Sequence, residues 1–272
     1  MFGPGGPTFR ELTVQAMSSV EHGYDLLAPT FDRTPFRTPD DILDATARVL
    51  ERLGPFGRGL DLCCGTGAGT RVLRRVCRDR IVGADLSAGM LAAARPAPPV
   101  HPARPAPPPD PGRPAEHLVR ADALALPFAG SLDLVVSFGA FGHFLPRQRP
   151  ALFAGVHRAL APGGRFAFPV VAPPAPGSRG YWATAGFDAV MRLRNALWRP
   201  PFVMYYRTFP LTAVRAELTR AGFTTALYAL PELGRRPDGG PRCRLVVATR
   251  PRTRAPGTPG RAADEFSADH RS

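Results

Sequence analysis

The sequence predicts an α/β fold in which a largely parallel sheet is wound with helices on both faces and closed by an antiparallel last strand. Three observations lead there. Short apolar, strand-like runs alternate with helix-like runs along the chain, which is the pattern of repeated β-α units. One such run, Gly59-Leu-Asp-Leu-Cys63, ends in a glycine-rich turn that opens directly into a helical segment. The last two strand-like runs are joined through the turn Asp238-Gly239-Gly240, which makes them a hairpin and therefore antiparallel. With 272 residues, 44% of them hydrophobic, the chain can bury a core of this kind.

The elements follow in order. Thr38 is a candidate N-cap for the first regular helix, with Pro39 at the first helical position and Asp41 three residues after the cap, ahead of Ile42, Ala45, Val49, Leu50 and Leu53. Gly54-Pro55 stops it. After strand Gly59–Cys63 and the glycine turn, a helix turns Val72, Leu73 and Val76 inward and its arginines outward. Strand Ile81–Asp85 comes next, and Ser87 caps a helix that runs through Met90 and Leu91 toward Arg95. Pro96–Pro114 holds ten prolines in nineteen positions, a composition that forbids helix or central strand and marks a surface insertion.

Leu118–Ala121 and Leu132–Phe138 are the third and fourth strands, the latter apolar enough to be covered on both faces. A helix near Pro150–Leu160 presents Leu152, Phe153, Val156 and Leu160 on one face. Pro162-Gly163-Gly164 is expected to end it before strand Arg165–Val170. Helix Leu211–Ala221 leads through Gly222 to strand Thr224–Leu230, and Arg242–Thr249 is the seventh strand. Between the fifth strand and the last helix, residues 172–210 are rich in aromatics and methionine. Ordinary core packing is expected of the helix there that carries Phe187, Val190, Leu193 and Leu197. The tail 251–272 is rich in Pro, Gly and Ala and is expected to be disordered.

Charge and cysteine content narrow the chemistry. The formal charge is +13, and every basic residue other than histidine is arginine. The missing lysine excludes a Schiff base to a pyridoxal cofactor, a phosphate-loop lysine and a lysine general base. Arginine alone, beside 28 Gly, 33 Pro and the single asparagine Asn195, reads as a GC-rich coding bias before it reads as a nucleic-acid footprint. Cys63, Cys64, Cys77 and Cys243 lack paired C-x-x-C spacing, so no zinc site is expected and reduced thiols fit a cytoplasmic protein. No signal-like apolar segment follows Met1–Pro7, and no apolar run is long enough to span a bilayer.

The informative segment is Gly59-Leu-Asp-Leu-Cys-Cys-Gly-Thr-Gly-Ala-Gly-Thr70. Its glycines, Gly65, Gly67 and Gly69, do not match the dinucleotide fingerprint G-x-G-x-x-G, and Asp61 at the strand end is a poor neighbour for an anionic pyrophosphate. A carboxylate there suits a ligand with a cationic amino-acid portion instead. The segment Asp61-Leu-Cys-Cys-Gly-Thr-Gly67 resembles the first motif, D-x-G-x-G-x-G, of the class I S-adenosylmethionine-dependent methyltransferases, with Cys63 where glycine is commonest. Gly83-Ala-Asp-Leu-Ser-Ala-Gly-Met-Leu91 and Arg120-Ala-Asp-Ala-Leu-Ala-Leu-Pro-Phe128 are similar to the second and third motifs. The resemblance covers roughly residues 24–249, and it is greatest toward the small-molecule enzymes that include the ubiquinone and menaquinone methyltransferases.

What the resemblance implies is specific. The fold would be a Rossmann-like, doubly wound, seven-stranded three-layer sandwich. The cofactor would be S-adenosylmethionine, leaving as S-adenosylhomocysteine, with no metal. Asp61, Cys63, Gly65, Thr66 and Gly67 would hold its amino-acid side. Asp85 would accept both ribose hydroxyls, Leu86 and Met90 would flank the adenine, and Asp122 and the Ala123 amide would read its edge. Ser137 and Phe138 would line the methionine side, and Tyr24, within a Y-D-x-x-A-x-x-Y-D-like lead-in spanning residues 1–37, would close over it; Phe31 replaces the second tyrosine there. His143, in a His-x-Leu-Pro segment, is the candidate general base. Phe141, Trp198, Tyr205 and Tyr206 are expected to line the acceptor pocket, within a methyltransferase domain spanning residues 38–250.

The partner expected is therefore a small apolar or aromatic methyl acceptor, methylated at oxygen, carbon or nitrogen, and the protein a monomer or homodimer. Two rivals stand beside this reading. In one, the arginines serve an RNA or DNA acceptor, although no base-reading module is appended to the core. In the other, the chain is a cofactor-binding regulatory protein without turnover, since a binding motif alone does not establish a reaction.

Overall fold

The computed structural model describes residues 18–34, 36–95, 113–198, 203–205 and 209–252. Seven strands form one sheet: β1 (Phe56–Leu62), β2 (Cys77–Asp85), β3 (Ala115–Arg120), β4 (Leu132–Val136), β5 (Leu160–Val171), β6 (Thr224–Ala229) and β7 (Cys243–Thr249). Their order is β3-β2-β1-β4-β5-β7-β6. Strands β1 to β5 are parallel, and β7 runs antiparallel between β5 and β6. The order reverses between β1 and β4, so the carboxyl ends of these neighbours open a crevice at the centre of the sheet.

Two hydrophobic layers sandwich the sheet. On one face Leu60, Leu62, Val135, Phe166 and Phe168 pack against α5 (Arg149–Ala159) and α7 (Leu211–Arg220) through Leu152, Phe153, Val156, Val214 and Leu218. On the other, Ile81, Leu134, Val136, Leu245 and Val247 meet α2 (Asp40–Leu53) and α3 (Ala68–Val76) through Leu43, Leu50, Val72 and Leu73. Leu134, Val135 and Val136 are successive residues sent alternately to the two layers, and all three are fully buried. At about 1.5–3 kcal/mol per buried aliphatic side chain, this explains why β4 is aliphatic on both faces beyond Asp133.

The remaining helices sit near the crevice. They are α1 (Val20–Leu27), α4 (Ala88–Ala94) and α6 (Arg179–Leu197). Ser87 caps α4 as expected, its Oγ accepting from the Met90 amide at 3.0 Å. The same hydroxyl donates to Asp25, whose Oδ1 also accepts from the Gly89 amide at 2.8 Å, and this locks α1 onto the start of α4.

Several expectations are corrected. Helix α2 begins at Asp40, with extended Pro39 in the cap position and no side-chain cap bond from Thr38. Pro162-Gly163-Gly164 lies inside β5, which starts directly where α5 ends; the glycines absorb a register shift opposite Leu132 and Leu134. Helix α6 does not bury Val190, Leu193 and Leu197, which are 65%, 62% and 68% exposed. It packs through Met191 and Asp188 instead. Its sequence is apolar on both sides, so periodicity does not select the inner face. Most of the Pro-rich stretch (96–112), Tyr206 and most of the tail (253–272) lie outside the described residues.

Candidate functional site

The site is built on the turn between β1 and α3. Cys63 and Gly65 take positive φ values of 56° and 52°, and Gly67 at 94° occupies the position that caps α3. A side chain on Gly65 would meet no atom within 4 Å, so the backbone of the turn lies open on that side. On the other side the turn is pinned, because the Cys64 amide donates to the Ala84 carbonyl at 3.0 Å and the Gly67 amide to Cys64 at 2.8 Å.

Asp61 serves the turn from beneath. Its Oδ2 accepts from the Thr70 amide at 2.6 Å and the Thr70 hydroxyl at 3.0 Å, placing a carboxylate at the N-terminus of α3, where it opposes the helix dipole. Gly69 is required there, since a Cβ would sit 2.2 Å from Asp61 Oδ1. This corrects the expectation that Asp61 faces the ligand: it is buried and does not line the cavity described below.

Burial lifts the Asp61 carboxyl from 3.8 to about 7, with the Thr70 hydrogen bonds opposing and the neighbouring Asp85 charge adding to the rise. A folded-state value above the unfolded one means that ionised Asp61 opposes folding. Its penalty is absent below pH 3.8, grows as pH rises through 3.8 toward 7, and is constant above. Carboxyl-carbon NMR of the labelled protein is expected to show an aspartate titrating near 7 that disappears in Asp61→Asn; a midpoint at the ordinary aspartate value would contradict this burial argument.

Above the turn lies a cavity of about 420 Å³. Its polar lining includes Gly65, Thr66, Asp85 and Asp122 together with Arg37, Thr38, Arg147 and Gln148. Asp85 closes β2, and its two oxygens accept from the Gly65 amide at 2.8 Å and the Ser87 amide at 2.9 Å, so one carboxylate ties the glycine turn to the start of α4. Burial raises its pKa, with backbone hydrogen bonds from Ser87, Gly65 and Leu86 opposing and the Asp25 charge adding to the rise. The carboxylate, with about four lone-pair sites, retains acceptor capacity for a ligand hydroxyl. Cys63 also lines the cavity, and burial together with the Asp85, Asp61 and Asp122 charges pushes its thiol well up, keeping it neutral.

Its apolar lining includes Phe31, Phe36, Phe138, Phe144, Leu145 and Val203, and Tyr24 and His143 also face it. Tyr24 Oη lies 2.8 Å from His143 Nε2, and His143 Nδ1 lies 2.6 Å from the Val203 carbonyl. A carbonyl can only accept, so Nδ1 carries the imidazole proton and Nε2 accepts from the tyrosine hydroxyl. Burial lowers the His143 pKa, opposed by the bond to Val203, which leaves the ring neutral and basic at Nε2.

Of the residues singled out from sequence, the structure brings Tyr24, Cys63, Gly65, Thr66, Asp85, Leu86, Met90, Asp122, Ala123, Phe138 and His143 to this one cavity. The others lie elsewhere. Gly67 faces a neighbouring cleft. Ser137 is buried and donates to the Leu62 carbonyl at 2.8 Å, serving the β1–β4 junction and not a ligand. Phe141 stacks on Phe209 at 4.2 Å and packs on Phe166 and Phe168 in the core. Trp198 is 51% exposed. Tyr205 is buried against Met191 outside the cavity lining, its hydroxyl accepting from Asn195 at 3.0 Å. Sequence reasoning missed Phe36, Leu145 and Val203. The last lies sixty residues from His143 and contributes a backbone carbonyl, which no side-chain pattern signals. Among the described residues no cluster of three or more His, Cys, Asp or Glu is placed to hold a metal ion, and no helix is long and apolar enough to cross a membrane.

The open turn above Gly65 and the Asp85 carboxylate beside it fit a ligand that carries hydroxyl groups. A family profile described as a methyltransferase domain matches residues 60–164. The chain is 32% identical to a 2-phytyl-1,4-naphtoquinone methyltransferase of Thermosynechococcus vestitus over 56% of its own length and 64% of the relative's. It is 31% identical to a demethylmenaquinone methyltransferase of Thermus thermophilus over 61% of its own length and 74% of the relative's. The chain thus spans just under two thirds of the first relative and about three quarters of the second. In fold it is similar to an S-adenosylmethionine-dependent methyltransferase of Methanosarcina mazei, with a TM-score of 0.53 at 16% identity, over 75% of this chain and 97% of that one.

Proposed function

The chain belongs to the class I S-adenosylmethionine-dependent methyltransferase family, and from that premise we propose that it methylates a small apolar or aromatic acceptor held against Phe144, Leu145 and Val203 of the cavity wall. The observation that carries this is the mixed lining of the cavity, which sets the Asp85 carboxylate against the glycine turn and adds phenylalanine, leucine and valine side chains. The two quinone methyltransferase relatives, named for ring substrates with apolar character, support it.

The residues present fit the cofactor. Asp85 would hold the ribose hydroxyls through its remaining lone pairs, Leu86 and Met90 would flank the adenine, and Asp122 with the Ala123 amide would meet the adenine edge. The open backbone at Cys63–Thr66 would take the amino-acid end, and the lead-in residues Tyr24, Phe31 and Phe36 would cover it. S-adenosylmethionine supplies an electrophilic methyl group on a positively charged sulfur. Everything else asked of the chain is positioning, exclusion of water and removal of one proton.

His143 supplies the base through Tyr24. An acceptor hydroxyl or acidic carbon gives its proton to Tyr24 Oη while the tyrosine proton passes to Nε2, and the Val203 carbonyl steadies the resulting imidazolium through Nδ1–H. The nucleic-acid reading is weakened by the arginines themselves. Arg71 is paired with Asp40, Arg74 with Glu116, Arg75 with Asp44 and Glu51, and Arg48 with Glu232, which leaves these side chains committed to carboxylates.

The test has two stages. Calorimetry should show S-adenosylhomocysteine binding to the folded protein, and labelled S-adenosylmethionine should pass its methyl to members of a panel of phenols and reduced naphthoquinones but not to transfer RNA. Absence of cofactor-product binding, or transfer to RNA alone, would refute the reading.

A further inference from the structure

Among the described residues, helix α6 presents an unpartnered apolar face. Trp182, Val190, Leu193, Leu197 and the following Trp198 are 66%, 65%, 62%, 68% and 51% exposed. The outward positions between them include Ala183, Gly186, Ala189 and Ala196, so a strip about 24 Å long is apolar along nearly its whole length. Scattered exposed leucines need no explanation, but a continuous strip with a tryptophan at each end does. The charged residues of α6 are Arg179, Arg192, Arg194 and Asp188, and the one acid is buried. Arg194 is half-buried and donates to the Ser18 carbonyl and to Asn195 Oδ1, so the exposed charges of the helix are Arg179 and Arg192, both positive.

The position of α6 relates this face to the cavity. Its inner residue Met191 packs with Tyr205 against Val20, Leu145 and Val203. Those last three residues are part of the cavity wall. The apolar strip is thus one helix diameter, about 10 Å, from the part of the cavity wall proposed to hold the acceptor.

We propose that α6 is a docking surface for an anionic lipid bilayer, lying in the plane of the interface with Trp182, Val190, Leu193 and Leu197 among the acyl chains and Arg179 and Arg192 at the headgroups. Two properties favour a bilayer over a second copy of the chain. The formal charge of +13 is drawn to anionic lipid and opposes self-association. Tryptophan at both ends of the strip suits an interface that is apolar on one side and wet on the other. This rests on the apolar-acceptor reading above and deepens it, since an acceptor dissolved in a bilayer would enter beside the helix that walls its pocket.

The test is co-flotation of the full chain with vesicles of phosphatidylcholine alone and of phosphatidylcholine carrying phosphatidylglycerol. The variant Leu193→Glu/Leu197→Glu alters only exposed positions, and its fold is checked by S-adenosylhomocysteine binding. The wild-type chain is expected to float with the anionic vesicles and more weakly with the neutral ones. The variant should lose about tenfold or more of its vesicle affinity while keeping its affinity for S-adenosylhomocysteine. No flotation of the wild-type chain, or equal flotation of the variant, overturns the proposal. So does a dimer in sedimentation equilibrium that the variant dissociates, because the face would then be a self-interface. Vesicle binding is read without turnover, so its failure is separable from failure of the acceptor assignment, which the methyl-transfer panel reads.

Discussion

Replacing His143 with alanine is expected to lower kcat by about 10²- to 10⁴-fold, with S-adenosylhomocysteine affinity nearly unchanged. The range is what a positioned general base contributes, and the geometry leaves one place for it. Nε2 is 2.8 Å from Tyr24 Oη, and Nδ1 is committed to the Val203 carbonyl at 2.6 Å. Tyr24→Phe keeps the edge-on ring contact with His143 but removes the hydroxyl, and should lower kcat in the same direction. Burial depresses the His143 pKa, so the ring is neutral and competent through the neutral range. The rate should therefore be flat near neutrality and fall only on the acid side of the ordinary imidazole range, and that acid limb should vanish in His143→Ala. A variant with unchanged kcat would mean that the acceptor is nucleophilic without losing a proton, and the Tyr24–His143 pair would then be structural.

The second large effect is expected at Asp85. Asp85→Ala should weaken S-adenosylhomocysteine binding by about 1.5–3 kcal/mol, roughly 10- to 150-fold, through loss of charge-assisted hydrogen bonds. The carboxylate acts twice here, as a cavity acceptor and as the clasp joining the Gly65 and Ser87 amides. Asp85→Asn separates the roles, since one amide oxygen can accept from only part of this set; its affinity should fall between wild type and Asp85→Ala. Titration calorimetry with a parallel thermal melt distinguishes lost ligand contacts from a loosened turn. Equal affinity in all three proteins would remove Asp85 from the site.

How much of this was legible in the sequence depends on the distance over which each feature is decided. The β1-turn-α3 unit was readable because its determinants are local: glycines where φ is positive, apolar residues at helical spacing, a carboxylate nine residues from the Thr70 amide it accepts. Strand β4 was readable because three successive aliphatic residues are stable only where both faces are covered. Asp85 and Asp122 were readable because strand ends in a wound sheet converge. Ser137 and Phe141 were misjudged for a related reason. Both follow β4 closely, but one turns to a backbone carbonyl and the other into a phenylalanine cluster drawn from β5 and from the segment before α7.

The sequence by itself determined the doubly wound sheet, the glycine turn, the carboxylates at successive strand ends and, through its missing lysine, the chemistries that are closed to this chain. Only the tertiary structure decided that Asp61 braces a helix instead of facing the cavity, that Tyr24 reaches across 119 residues to His143, and that α6 turns one apolar face outward. The physical reason is the same in each case. Backbone conformation and hydrophobic period are set by neighbours in the chain, whereas the partner of a carboxylate, the tautomer of an imidazole and the buried side of a helix with apolar residues on both sides are set by whatever the fold brings beside them.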